Sequence, residues 1–343
     1  MRTIAAVAIA AIPIAALALA SCATAPQPVP TFADPAVAYL DAKAGGGVYR
    51  ERWSGDGSKR IHYVEAGRGP TVVFVHGFPS FWYAWADQLE AFRACRRVIA
   101  IDAPGTGSSA RAKDDDAYRI ANLAGRLDEL IVELAPHEKV TLVGHDWGGA
   151  LVWSYAEWKP QRIERLVVFS APPYDLFLEL IATDPEQRAR SGYMQLLRGL
   201  DRSTIAARGV SESLFQTAYA TILAQGALTE AEGTLFRRAL TDETIDGGAG
   251  WYRANIRAFD AIDPARDAWP SPGARAALPV LLVEGSEDRT FVPFADRARD
   301  HAATLESVTL PGVGHWTPFE DPAAANAALG RFLGLPDGRC PAP

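Results

Sequence analysis

Between residues 48 and 171, short apolar runs rich in β-branched side chains alternate with amphipathic stretches, and few folds accept that alternation. The runs at 71–75, 97–101, 139–143 and 165–169 read as strands; 82–92, 117–134 and 150–158 read as helices. Near-continuous apolar strands separated by helices belong to a parallel sheet covered on both faces. Ahead of them, 48–53 and 60–66 flank Ser54-Gly55-Asp56-Gly57, a hairpin turn signal. The alternation stops at Pro172, and 172–269 carries helical patterns with almost no strand signal. Pro270, Pro272 and Gly273 mark a return to strand 278–283, helix 294–302, strand 307–310 and helix 322–333. The late strands are too few for a sheet of their own. The chain therefore reads as one α/β core, 48–171 and 270–335, interrupted by a helical insertion of roughly one hundred residues and followed by a tail at 336–343.

The first residues do not belong to that core. Arg2 gives a short positive start, 4–20 is an apolar run too short and Ala-rich for a membrane span, and small residues close it. Residues 1–22 read as a secretory signal, and the ending Leu19-Ala20-Ser21-Cys22 resembles the bacterial lipobox, in which the cysteine is lipidated and becomes the first mature residue. The Pro- and Ala-rich stretch 23–47 then reads as an extended tether. These features predict an exported, membrane-anchored protein on the periplasmic side of a bacterial envelope, an oxidising compartment. A net charge of −7 with no basic stripe argues against nucleic acid as a partner.

Chemistry concentrates at Gly144-His145-Asp146-Trp147-Gly148-Gly149, which links strand 139–143 to the helix that follows. Gly-x-Asp-x-Gly at a strand-to-helix turn is the nucleophile elbow pattern with aspartate in the reactive place. The turn is sharp, so side chains beside the nucleophile would collide, and the helix N-terminus favours negative charge. A carboxylate is nucleophilic at neutral pH without a base. Taken alone, the motif also fits an aspartate that caps the helix. Two partners follow in chain order: an acidic loop after strand 278–283, offering Glu284, Glu287 and Asp288, and His315 in the loop after 307–310. His315 alone of the six histidines lies in a loop after a late strand. His62 is in an early strand, His137 and His301 read as surface residues, and His76 and His145 read as locally bonded turn residues. A histidine can take a proton from water near pH 7, and an acid orients its ring. The turn His76-Gly77-Phe78-Pro79, with a cis Phe78-Pro79 bond expected, offers the Phe78 N–H beside that of Trp147 as an oxyanion hole.

Together, His76-Gly77-Phe78-Pro79, Gly144-His145-Asp146-Trp147-Gly148-Gly149 and the Asp288/His315 pair resemble the epoxide hydrolase and dehalogenase branch of the α/β-hydrolase superfamily over roughly 48–335. The resemblance implies a mostly parallel sheet with helices on both faces and 172–269 as a cap inserted between the sixth and seventh strands. It implies Asp288 as the acid. Epoxide hydrolases carry two cap tyrosines that bond the epoxide oxygen; Tyr193 in Ser191-Gly192-Tyr193-Met194 and Tyr252 in Trp251-Tyr252-Arg253 resemble them, with Tyr155, Tyr174 and Tyr219 as alternatives. The implied reaction opens a small-molecule epoxide to a vicinal diol through an aspartyl ester, with no cofactor. Haloalkane dehalogenases usually have Asn where Phe78 stands, and fluoroacetate dehalogenases Arg where Trp147 stands, so dehalogenation is the second reading. An inactive hydrolase-fold lipoprotein acting as a binding module is a third, against which the complete triad argues. In the fold resembled, the helices before Cys95 and Cys340 pack on one face of the sheet, which implies a disulfide between them. The sequence shows no metal site. Gly105-Thr106-Gly107-Ser108-Ser109-Ala110 loosely matches a dinucleotide fingerprint, but the charged residues 111–116 open no amphipathic helix, so it is rejected.

Overall fold

A computed structural model describes residues 33–341; the expected signal segment, Cys22 and the start of the expected tether lie outside the described residues. The end of that tether is not extended. Residues Pro35–Lys43 form helix α1, opened by Pro35 and capped by Asp34, whose side chain accepts the Ala36 amide at 2.8 Å. Ala36, Val37 and Leu40 are buried against the core, so a single apolar turn inside a Pro/Ala-rich stretch was enough to fold it.

Among the described residues, eight strands form one sheet: β1 (Arg50–Ser54), β2 (Ile61–Ala66), β3 (Thr71–Val75), β4 (Arg97–Ile101), β5 (Val140–His145), β6 (Ile163–Phe169), β7 (Ala276–Gly285) and β8 (Ala302–Leu310). Their spatial order is β1-β2-β4-β3-β5-β6-β7-β8. The β1–β2 and β2–β4 pairs are antiparallel, and every other pair is parallel. β3 and β5 are buried along their whole length, which explains their unbroken apolar sequence. β8 is an edge strand with several exposed residues; it pairs with β7 from Ala302 to Leu310, longer than the 307–310 expected, because an edge strand keeps polar residues.

Core helices α2 (Ala86–Phe92), α3 (Ile120–Leu134) and α4 (Trp147–Trp158) cover the sheet. α3 buries Ile120, Leu123, Ala124, Leu127, Leu130 and Ile131, one apolar face at helical spacing. It starts at Ile120 and not at 117, because Asp115–Tyr118 form a separate 3₁₀ turn capped by Asp114. α4 is buried from Trp147 to Ala156 and lies at the centre of the molecule. Between β6 and β7 the insertion is helical: α5 (Tyr174–Thr183), α6 (Pro185–Arg190), α7 (Gly192–Arg198), α8 (Arg202–Arg208), α9 (Val210–Ala224), α10 (Glu230–Ala239), α11 (Asp242–Asn255) and α12 (Pro264–Asp267). The chain then returns through α13 (Ala295–Ala298), shorter than the helix expected at 294–302, α14 (Thr317–Glu320) and α15 (Pro322–Phe332).

Two further expectations meet the structure here. The glycine-rich loop 105–110 wraps a buried carboxylate: the Ser108 amide donates to Asp102 at 2.8 Å, and a Cβ on Gly107 would lie 2.1 Å from the Asp102 carboxyl carbon. Cys95 and Cys340 are bonded, with Cα atoms 5.6 Å apart, and tie the tail to the end of α2.

Candidate active site

Parallel strands bring their C-terminal ends to one edge, and the turns after β3, β5, β7 and β8 meet there. The turn after β5 is the sharpest. Asp146 has φ 53° and ψ −125°, a conformation L-residues rarely adopt and one that costs on the order of 1–3 kcal/mol. A Cβ on Gly148 would sit 2.2 Å from the Val75 carbonyl oxygen, so only glycine lets α4 start this close to β3.

The Asp146 side chain is buried, with its two oxygens in different company. Oδ1 accepts the Phe78 amide at 2.9 Å; Oδ2 lies 3.5 Å from His315 Nε2. Phe78-Pro79 is cis, as expected. Burial pushes the Asp146 carboxyl upward, but bonding and charge from His315, with the Trp147 amide, outweigh it and hold it below the usual range. His315 Nδ1 donates to Asp288 Oδ2 at 2.9 Å, and Asp288 Oδ1 accepts the Thr290 amide at 2.8 Å. Burial works against the charged His315 ring, yet Asp288 and Asp146 prevail and raise it to about 10, so the resting pair is carboxylate and imidazolium. The other two acids stand apart. Glu284 is pushed up to about 7 by burial and by the Asp288 charge, and Glu287 is exposed beside Arg289 at 3.1 Å.

Two residues that sequence reasoning passed over hold His315 in place. Glu320 accepts the Gly314 amide on Oε2 and the Trp316 amide on Oε1, each at 2.8 Å, so one carboxylate clamps both sides of the histidine. His145, read as a local turn residue, instead donates from Nε2 to the His315 carbonyl at 2.9 Å, and its ring lies 4.9 Å from the His315 ring. Burial and the His315 charge lower its pKa to about 4, so it stays neutral. The other turn histidine, His76, does make the local bond, to the Gly77 carbonyl at 2.7 Å.

From the cap, Tyr252 on α11 is buried with its ring 5.2 Å from Trp147 and 5.7 Å from Phe78. Tyr193 on α7 packs edge-on to Tyr252 at 6.4 Å and keeps 38% of its surface exposed. Burial raises both phenols, and the Asp146 charge adds to it, so both stay protonated. The alternative tyrosines are committed elsewhere: Tyr155 donates to Asp128, Tyr174 to the Asn255 carbonyl and Tyr219 to the Pro79 carbonyl. Trp147, Phe177, Met194 and Phe291 line a narrow space over Asp146.

This arrangement presents a carboxylate at a strand-to-helix turn, a histidine–acid pair behind it and two phenols in front, groups of the kinds that hydrolytic chemistry uses. Residues 70–322 match the family described as alpha/beta hydrolase fold. Epoxide hydrolase 3 of Mus musculus is 31% identical over 284 residues, covering 80% of this chain and 74% of the relative. Epoxide hydrolase 3 of Xenopus tropicalis is 35% identical over 321 residues, covering 89% and 82%. A Bacillus megaterium epoxide hydrolase crystallised with an inhibitor shares the fold at a TM-score of 0.75 and 23% identity, over 82% of this chain and 100% of that chain. The chain belongs to the α/β-hydrolase fold family and, within it, to the epoxide hydrolases.

Proposed function

We propose that this enzyme opens an epoxide to a vicinal diol through a covalent ester on Asp146. The observation that carries the reading is the asymmetry of the Asp146 carboxylate. Oδ1 is held by the Phe78 amide, while Oδ2 faces His315 and is the attacking atom. In the first step Oδ2 bonds to one ring carbon and the C–O bond breaks. The departing oxygen takes a proton from Tyr252 or Tyr193, since an unprotonated alkoxide is a poor leaving group. Esterification removes the Asp146 charge, one of the interactions that keep His315 protonated, so the His315 pKa falls. Its proton makes good the one lost from tyrosine, and His315 becomes a base only once there is an ester to hydrolyse. Neutral His315 then takes a proton from water. The hydroxide adds to the Asp146 carboxyl carbon, and the Phe78 and Trp147 amides receive the oxyanion. Collapse releases the diol and restores carboxylate, imidazolium and phenol, so the sum is epoxide plus water. The assay is diol formation from an epoxide panel run beside halide release from haloalkanes and haloacetates. Diol without halide supports the reading; halide alone, or neither, overturns it.

The location reading belongs to the same proposal. The chain is exported and anchored through a lipid on Cys22. The 1–22 pattern and the Cys95–Cys340 bond, which needs an oxidising compartment, support it. Mass spectrometry of the mature N-terminus should find acylated Cys22, and Cys22→Ala should leave the membrane fraction; an unmodified cysteine in a soluble protein contradicts it.

A further inference from the structure

A second cluster of chemistry-bearing side chains lies away from the active site, where the cap joins the core. Glu157 comes from the last turn of α4, Asp175 from the first turn of α5 and His301 from the turn ahead of β8. His301, expected at the surface, is largely buried: its side chain is 12% exposed, against 9% for Asp175 and 2% for Glu157. His301 Nδ1 lies 3.3 Å from Asp175 Oδ1 and 4.0 Å from Glu157 Oε1, and one donor atom from each residue falls within 4.8 Å of the others. Glu157 Oε1 and His301 Nδ1 are both buried without a hydrogen-bond partner among the described residues. An orphaned carboxylate oxygen in a buried site beside a second carboxylate is costly unless something positive meets it. Burial and the Asp175 charge accordingly push the Glu157 carboxyl well upward.

We propose that Glu157, Asp175 and His301 form a divalent-cation site of the zinc class that pins the root of the cap to the core. The donor set is one imidazole nitrogen and two carboxylate oxygens, with a fourth position for water. Calcium prefers six to eight oxygens, and magnesium keeps an octahedral shell largely of water and carboxylate, so a histidine in a three-residue set favours zinc or a similar first-row ion. At metal–ligand distances of about 2.0–2.2 Å, tetrahedral donors lie roughly 3.3–3.6 Å apart, which small rotations of Glu157 supply. A divalent ion here would balance two carboxylate charges. Asp175 keeps a lone pair for the ion while it orders the backbone: Oδ1 accepts the Leu176 amide and Oδ2 the Gly273 amide, each at 2.8 Å. Leu176 lies where the chain enters the cap and Gly273 where it leaves, so an ion here fastens both crossings to the helix whose other end carries Asp146. The three residues are far apart in sequence, and no ligand spacing announces them.

The test uses the intact, disulfide-bonded protein stripped with chelator. Zn²⁺ titration by calorimetry should show one saturable equivalent, and the thermal midpoint should rise by several degrees with Zn²⁺ and fall back with chelator. Co²⁺ in place of Zn²⁺ should give visible absorption of tetrahedral strength and broaden the His301 imidazole resonance before that of exposed His137. Glu157→Gln and His301→Gln should each weaken Zn²⁺ by about tenfold or more. No saturable equivalent in the unmutated protein overturns the proposal. So does Co²⁺ that leaves His301 sharp, which places any bound metal elsewhere whether or not the variants fold. None of these readouts depends on the reaction at Asp146.

Discussion

The loops at the edge of the sheet and the helices of the cap both supply the active site, but they are positioned by different means. Asp146, Asp288 and His315 stand on turns after β5, β7 and β8, strands locked in register by backbone bonds, and Glu320 and Thr290 add bonds to those turns. Tyr252 and Tyr193 arrive on helices, where contacts between side chains and neighbouring elements set the approach. α11 is brought close by glycines that cost about 1 kcal/mol each in a helix interior. A Cβ on Gly248 would lie 2.1 Å from the Phe78 ring, and one on Gly247 would lie 2.0 Å from the Gly105 carbonyl oxygen. Arg253, braced within α11 by Asp246 at 3.0 Å, ties the helix to Asp115 at 2.7 Å. Tyr193, on the short helix α7, keeps 38% of its surface exposed, although its phenol end is buried against Tyr252. The contrast teaches that, under the proposed mechanism, the groups assigned to bond making stand on the hydrogen-bonded sheet layer, while the groups assigned to proton delivery depend on how the cap helices are pressed to it.

That contrast can be broken in steps. Asp146→Asn should have the largest effect, lowering diol formation on the order of 10⁴-fold or more in protein shown not to have deamidated. It should also lower the His315 pKa from its value near 10, read by NMR titration, since a neutral amide no longer supports the imidazolium; an unmoved titration breaks the link between ester formation and base release. Tyr252→Phe should slow ring opening by about 10²–10⁴-fold in single turnovers and leave ester hydrolysis nearly untouched. Glu320→Gln weakens the clamp around His315 without removing a reacting atom; a loss of about tenfold, confined to ester hydrolysis, is expected, and an equal loss in both steps would mean general disorder. Tyr193→Phe should show the smallest change, a few-fold on ring opening, consistent with its exposure. If Tyr193→Phe costs more than Tyr252→Phe, the buried and half-exposed tyrosines have been given each other's weight.

The same contrast decides what could be read from the sequence. The sheet was legible because buried parallel strands must be apolar throughout, as β3 and β5 are. The elbow was legible because Gly144, Gly148 and Gly149 are forced by contact. Cys95 and Cys340 were paired through the packing that the family resemblance implied. The edge strand β8 was cut short because its polar residues hide its length, and α1 was missed because three buried apolar side chains are too few to outweigh its composition. Glu320 and the long-range bond of His145 left no signal, since each acts on the backbone of residues that only folding brings near. The glycines of α11 did leave one: Gly247, Gly248 and Gly250 in a helical stretch mark close backbone approach, and the approach places Tyr252.

The most direct test of the central claim is a single turnover in H₂¹⁸O with enzyme in excess of epoxide. If Asp146 forms the ester, the new diol oxygen comes from the carboxylate. The first diol is then unlabelled, and ¹⁸O appears in the peptide that contains Asp146. Diol that carries ¹⁸O from the first turnover, with Asp146 unlabelled, would show water attacking the epoxide directly and would contradict the account.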